Sequence, residues 1–86
     1  MKNLIINFNN GFTIDVEVED LNEAKEIAEE QMSYTQQNVT IQNEDRQLLA
    51  VSRWYGYEAT EEEKEDNLVL VEFGNSGFYG IWEEEF

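Results

Sequence analysis

The sequence predicts an α+β domain: an antiparallel sheet of about six strands arranged in hairpins, with one main helix packed on one face. Three observations predict it. Apolar and polar residues alternate on both sides of Asn9-Asn10-Gly11, the pattern of a hairpin. Apolar residues from Leu21 to Met32 recur at helical spacing behind a capping signal. Beyond them the chain returns to short apolar runs punctuated by Asn, Gly and Ser. Eighty-six residues, 1–86, make a single acidic domain.

The first hairpin covers residues 2–19. A two-residue loop at Asn10-Gly11 would set Ile6 against Asp15 and mix the two faces. A three-residue loop, Asn9-Asn10-Gly11, sets Phe8 against Phe12, Ile6 against Ile14 and Leu4 against Val16. One face is then wholly apolar, with Val18 extending it, and the other carries Asn3, Asn7, Thr13, Asp15 and Glu17. The last residue of such a loop is left-handed, which Gly11 permits. A slip of one residue would turn every side chain to the wrong face.

Asp20 begins the helix, and Glu23, three residues on, completes a capping box. Leu21, Ala24, Ile27 or Ala28, Gln31 and Met32 form the expected buried stripe, with Glu23, Glu26 and Glu30 on the outer side. The helix is expected to stop near Ser33. Tyr34–Gln37 reads as a polar connection. Val39 and Ile41 alternate with polar neighbours and read as a half-exposed strand, and Asn43–Arg46 is a turn. The register of the next strand stays open, with Ile41 facing Leu48 or Leu49.

The run 47–56, QLLAVSRWYG, is the longest mainly apolar stretch. Leu48, Leu49, Ala50 and Val51 leave little room for a solvent face, so it reads as a strand inside the sheet, covered on both sides. Alternation then predicts that Trp54 or Tyr55, not both, is largely buried. Tyr57–Asn67 breaks the apolar pattern. Thr60 and Glu63 make a second capping box, allowing one or two helical turns in an acidic, mobile segment that buries almost nothing. A last hairpin joins 68–73 to 78–82 around Gly74-Asn75-Ser76-Gly77, with Val71 facing Gly80 and Val69 facing Trp82. Gly80 admits a close neighbour.

Several chemistries are excluded by composition. The chain has no Cys and no His, so disulfides, thiolates, histidine bases and histidine metal sites are absent. No apolar run approaches the ~20 residues of a membrane span, and no signal-peptide pattern opens the chain. The expectation is a soluble, cytoplasmic protein. Paired carboxylates are abundant, but a chain this short leaves no room for a glycosidase cleft, and no enzyme is expected. Asp15, Glu17, Glu19 and Asp20 lack EF-hand spacing, and alternation spreads the first three over more than ~12 Å, too far for one ion. No metal and no cofactor are expected.

Charge is the outlier. Twenty acidic residues stand against five basic ones, a net charge of −15. About 2–8 suffices for the solubility of a small domain, and the excess costs stability through self-repulsion. Such a chain repels nucleic acid and anionic membranes, so neither is an expected direct partner. It attracts basic surfaces. Arg53-Trp54-Tyr55 has the composition of an interface anchor. It also reads as the end of the core, with Arg53 paired to an acid.

The size, the charge, the sheet-plus-helix layout and the phrases RWYG (Arg53 to Gly56) and GFYGIW (Gly77 to Trp82) resemble small acidic proteins of phages and mobile elements. Among those are DNA-mimic inhibitors of the anti-restriction, uracil-DNA-glycosylase-inhibitor and anti-CRISPR kinds. The resemblance implies an inhibitor whose carboxylates block the basic nucleic-acid-binding surface of another protein. It carries over no individual site. The acids read from the sequence as partner-binding are Asp15, Glu17 and Glu19 on the hairpin, Glu23, Glu26 and Glu30 on the helix, and Glu61, Glu62, Glu63 and Glu65 in the acidic segment, with Trp54 and Tyr55 as aromatic anchors. The rival reading is a small interaction or homo-oligomerising domain, a homodimer in its simplest form, whose acidity serves solubility alone. One contiguous negative face would favour mimicry; even coverage would favour the rival.

Overall fold

The computed structural model describes residues 1–33 and 36–84. Seven strands and one main helix are found there, but in two antiparallel sheets rather than one. The first sheet holds β1 (Lys2–Asn7), β2 (Thr13–Val18), β3 (Val39–Asn43) and β4 (Leu48–Ser52) in the order β2-β1-β3-β4. The second holds β5 (Trp54–Tyr55), β6 (Val69–Glu72) and β7 (Phe78–Gly80) in the order β5-β7-β6. Helix α1 (Leu21–Gln31) follows β2, and a short helix α2 (Glu61–Glu65) lies between β5 and β6.

The first hairpin has the expected register, with Ile6 opposite Ile14 and Leu4 opposite Val16. Phe8 N–H donates to Phe12 C=O at 3.1 Å, so the loop is Asn9-Asn10-Gly11. Two side chains brace it: Asn7 Oδ1 accepts from Asn9 N–H at 2.8 Å and Asn10 Oδ1 from Phe12 N–H at 3.0 Å. Asn9 and Gly11 both have positive φ, at 56° and 91°. Leu4, Ile6, Phe8 and Val18 are buried, and α1 lies over that face with Ala24 and Ala28 fully covered. Two alanines let the helix backbone approach the sheet. Leu21, Ile27 and Met32 pack at its margins. Gln31 is exposed and drops out of the buried stripe. The helix ends at Gln31 with Met32 as its C-cap, close to the expected stop. Of the connection 34–37, Tyr34 and Thr35 lie outside the described residues.

The pairing of β4 departs from expectation. Ile41 faces Ala50, and Gln42 faces Leu48, because Leu49 is the extra residue of a bulge. The bulge frees Leu49 to pack against the core while Leu48 stays exposed. Nor is β4 inside the four-stranded order; β1 and β3 are. Its far edge is taken instead by the end of the chain: Val51 and Glu83 exchange backbone hydrogen bonds at 2.9 Å in each direction. Ala50, Val51 and Ser52 are therefore buried in succession, but Leu48 is exposed and Leu49 half-buried, so only the later part of the run is covered as expected.

Arg53 is where the chain changes sheet. Its C=O accepts from Gly80 N–H at 2.8 Å, and Ser52 Oγ donates to Gly80 C=O at 2.7 Å. The ring of Tyr55 lies against Gly80, where a Cβ would come within 2.8 Å of Cε2. The last hairpin is shifted from its expected register. Val69 faces Gly80 and Val71 faces Tyr79, with a bulge between them. Gly74–Ser76 forms a single 3₁₀ turn, and Phe73 N–H donates to Gly77 C=O at 2.9 Å. Gly77 is buried with φ 141°, and a Cβ there would strike the Trp54 ring and the Tyr55 carbonyl. Tyr79, fully buried, joins the second sheet to the main core and donates its hydroxyl to Ser33 C=O at 2.9 Å.

Candidate functional site

Helix α1 is fastened at its start by Asp20, whose Oδ1 accepts from Glu23 N–H at 2.9 Å. The Glu23 carboxylate turns back, but to Glu19 N–H at 2.9 Å and not to the N-cap's own N–H. Glu23 is thus part of the cap and half-buried. Glu26 and Glu30, one turn apart, are exposed. Glu29 accepts from the Trp82 indole Nε1 at 3.1 Å, and Lys25 pairs with Glu84 at 2.6 Å. The segment after β7 is thereby tied along one side of α1.

Asp15 and Glu17 are exposed on the outer face of the first sheet. They line a shallow hollow of about 390 Å³ with Asn3, Ile5 and Glu44. Ile5, opposite Asp15, is the one apolar side chain of β1 on this polar face. Since α1 covers the inner face, Asp15 and Glu17 point to the side of the sheet opposite to Glu26 and Glu30. Glu19, beyond the strand, is exposed. The structure does not bring the hairpin acids and the helix acids onto one face.

A third group of acids sits on α2. The capping box is complete: Thr60 Oγ1 accepts from Glu63 N–H at 3.1 Å, and Glu63 Oε1 accepts from Thr60 N–H at 3.0 Å. Tyr57 OH donates to Glu63 Oε2 at 3.1 Å. Thr60 N–H, with the Thr60 and Tyr57 hydroxyls, holds the Glu63 carboxyl below the ordinary glutamate range. Partial desolvation, and then the carboxylate of Glu63, push the Tyr57 hydroxyl above its ordinary value. Glu61, Glu62 and Glu65 are exposed. The segment is therefore a defined helical turn, and it does bury one side chain, Ala59.

Neither Trp54 nor Tyr55 is largely buried; both are intermediate. They do face opposite ways. Trp54 packs on Tyr79 with centroids 5.0 Å apart, and Tyr55 stacks on Phe78 at 5.0 Å and 22°. A thin three-stranded sheet with rings on both faces covers each of them only in part. Near them the exposed ring is Tyr57, which was not among the expected anchors, with Leu68 and Ile81 exposed as well; Phe12 is a second exposed ring, at the first hairpin. Tyr57 falls past Gly56, after the end of β5 and before the acidic run, and that placement was the available signal.

Cations are drawn to the later part of the chain. Arg53 Nε pairs with Glu83 at 2.7 Å, as expected of an arginine beside acids, and Lys64 lies 3.7 Å from Glu72. With Lys25 on Glu84, these are the ion pairs among the described residues. None of them neutralises Asp15, Glu17, Glu26, Glu30, Glu61, Glu62 or Glu65. Among the described residues no group of three or more acids is close enough to hold a metal ion, and no helix is long and apolar enough to cross a membrane. Comparison of the chain with protein-family models, with curated proteins and with solved structures found no match.

Proposed function

We propose that the protein is a non-enzymatic acidic binding module that occupies a basic nucleic-acid-binding surface on another protein, as a DNA-mimic inhibitor does. One observation carries this reading. The lysine and arginine side chains that form ion pairs are spent on Glu72, Glu83 and Glu84, while Asp15 and Glu17 on β2, Glu26 and Glu30 on α1, and Glu61, Glu62 and Glu65 on α2 are exposed and form no ion pair among the described residues. Duplex DNA presents one charge per ~3.4 Å of axis on each strand. Glu26 and Glu30 place two carboxylates about 6 Å apart along the helix axis, at 1.5 Å per residue. Their backbone is held by the helix and its cap, so little ordering cost falls on binding. Opposite charge also raises the rate of encounter, in a salt-dependent way. Because the acids lie on several sides, one face engages at a time, and the α1 face is the most regular.

A second reading, a protein-interaction domain without mimicry, is favoured by the exposed apolar side chains Tyr57, Leu68 and Ile81. The experiment separating them is displacement. Labelled duplex DNA or guide RNA is bound to a panel of restriction and RNA-guided nucleases, and the protein is titrated in at low and high salt. Displacement that weakens steeply with salt supports mimicry. Binding to a nuclease that leaves its nucleic acid in place supports the second reading.

A further inference from the structure

The face of the second sheet opposite to Trp54 carries an apolar cleft. Tyr55 stacks on Phe78, and Tyr57 meets Phe78 edge-on with centroids 5.5 Å apart. Leu68 and Ile81 are joined through their backbones, Ile81 N–H donating to Leu68 C=O at 3.1 Å. Tyr57, Leu68 and Ile81 remain 48, 41 and 41% exposed. The cleft has a volume of about 240 Å³ and is lined by Tyr55, Leu68, Phe78, Gly80 and Ile81, with Glu63 and Glu83 completing the wall. Gly80, lacking a side chain, lets the Tyr55 ring lie against it as part of the wall.

Isolated exposed apolar residues are ordinary, but a contiguous set around a concavity marks a binding surface. The volume lies below the roughly 300–1,000 Å³ of small-molecule sites. It suits a single side chain. The walls also state the chemistry of what enters. Glu63 stands on α2, where Glu61, Glu62 and Glu65 are exposed beside it. On the other side, Glu83 gives Oε2 to Arg53, leaving Oε1 for a second donor. A second copy of this chain would press like charges together here.

We propose that this cleft docks one aliphatic or aromatic side chain of a basic protein segment, whose flanking lysines or arginines meet Glu83 on one side and the acids of α2 on the other. The proposal rests on the reading that the partner is basic, and adds to it an apolar anchor and its place. A bare charged surface gives speed and salt dependence. A buried anchor gives affinity that survives salt and a fixed register, in the way central apolar residues dominate interfaces.

The test uses two short synthetic peptides of lysine, arginine and serine, one with a central leucine and one with glycine there. Affinity is measured by calorimetry, and amide shifts are mapped by NMR. The leucine peptide is expected to bind about tenfold more tightly, with shifts at Leu68, Gly80 and Ile81. The double variant Leu68→Ser/Ile81→Ser, altering only exposed side chains, is expected to reduce that preference below about twofold. Equal affinity for both peptides overturns the cleft, and if that binding is salt-sensitive it leaves the basic-partner reading standing. A leucine preference shared by an acidic peptide of the same design overturns the basic character of the occupant. Sedimentation showing a dimer that Ile81→Ser dissolves overturns it too, since the cleft would then be filled by a second copy.

Discussion

The two acidic helices are held in opposite ways. Helix α1 has eleven residues and is fixed by burial, with Ala24 and Ala28 sealed against Leu4, Ile6 and Val18. Helix α2 has five residues, buries none of them, and is held by a knot of side chains: Thr60, Glu63 and Tyr57. The first is held mainly by its buried face, with Glu23 adding to its cap. The second depends on one of its acids for its shape. A highly charged chain thus uses part of its charge as structure. Glu23 closes a cap, Glu29 holds the Trp82 indole, and Glu63 ties α2, so only the remaining acids are free to meet a partner.

Breaking the first helix's support should have the largest effect. Ile6→Ala, at a fully buried position under α1, is expected to cost about 2–5 kcal/mol, read as a lowered denaturation midpoint with an unchanged slope. Gly77→Ala tests the second sheet in the same way. It combines strain at positive φ with a clash against Trp54 and the Tyr55 carbonyl, and about 2–4 kcal/mol is expected in the same measurement. A loss below 1 kcal/mol at either site would mean that the region is not held as described.

Smaller effects belong to α2. Thr60→Ala removes the acceptor for Glu63 N–H and is expected to weaken α2 by about 1 kcal/mol. Amide exchange should show the loss in residues 61–66 while α1 stays protected. Loss of protection in both helices together would contradict their independence. The pH response follows from Glu63. Its carboxyl is held below the ordinary value near 4.3, so its contribution to folding is present above that value. That contribution is lost as pH falls through the lowered folded value. Acid titration followed by NMR should loosen α2 before α1, and Glu63→Gln should blunt that step.

The first hairpin was legible because loop chemistry and a period of two agree: only one register puts Leu4, Ile6, Ile14 and Val16 on one face with Gly11 at positive φ. Both N-caps were legible from Asp20 and Thr60 with a Glu three residues later, though only Thr60 and Glu63 close the full box, since Glu23 reaches Glu19 N–H instead. The bulges at Leu49 and between Val69 and Val71 were not, because a bulge leaves the alternation of its own strand ambiguous. Nor was the second sheet. The break at Arg53 is set by Gly80 and Glu83, which lie far along the chain. For the candidate site, the sequence shows where charge is dense but not which acids fold inward on local donors. It placed Glu23 on an outer ridge that the cap half removes. The exposed apolar residues on the second sheet were not legible, because Tyr57, Leu68 and Ile81 come from three separate segments.

The claim that free carboxylates meet a basic partner is tested most directly by comparing matched reversals that spare the structural acids. One variant is Glu26→Lys/Glu30→Lys on α1, a second is Asp15→Lys/Glu17→Lys on β2, and a third is Glu61→Lys/Glu62→Lys on α2. Each is titrated against nuclease-bound DNA at low salt, after amide spectra have shown the fold intact. Reversal on the engaged face should weaken displacement by tenfold or more, about 1.4 kcal/mol or beyond, and flatten its salt dependence, with the other two pairs near wild type. The α1 pair is the one expected to do so. Displacement that all three pairs leave unchanged, with its salt dependence intact, would contradict the account and leave the acidity without a role in binding.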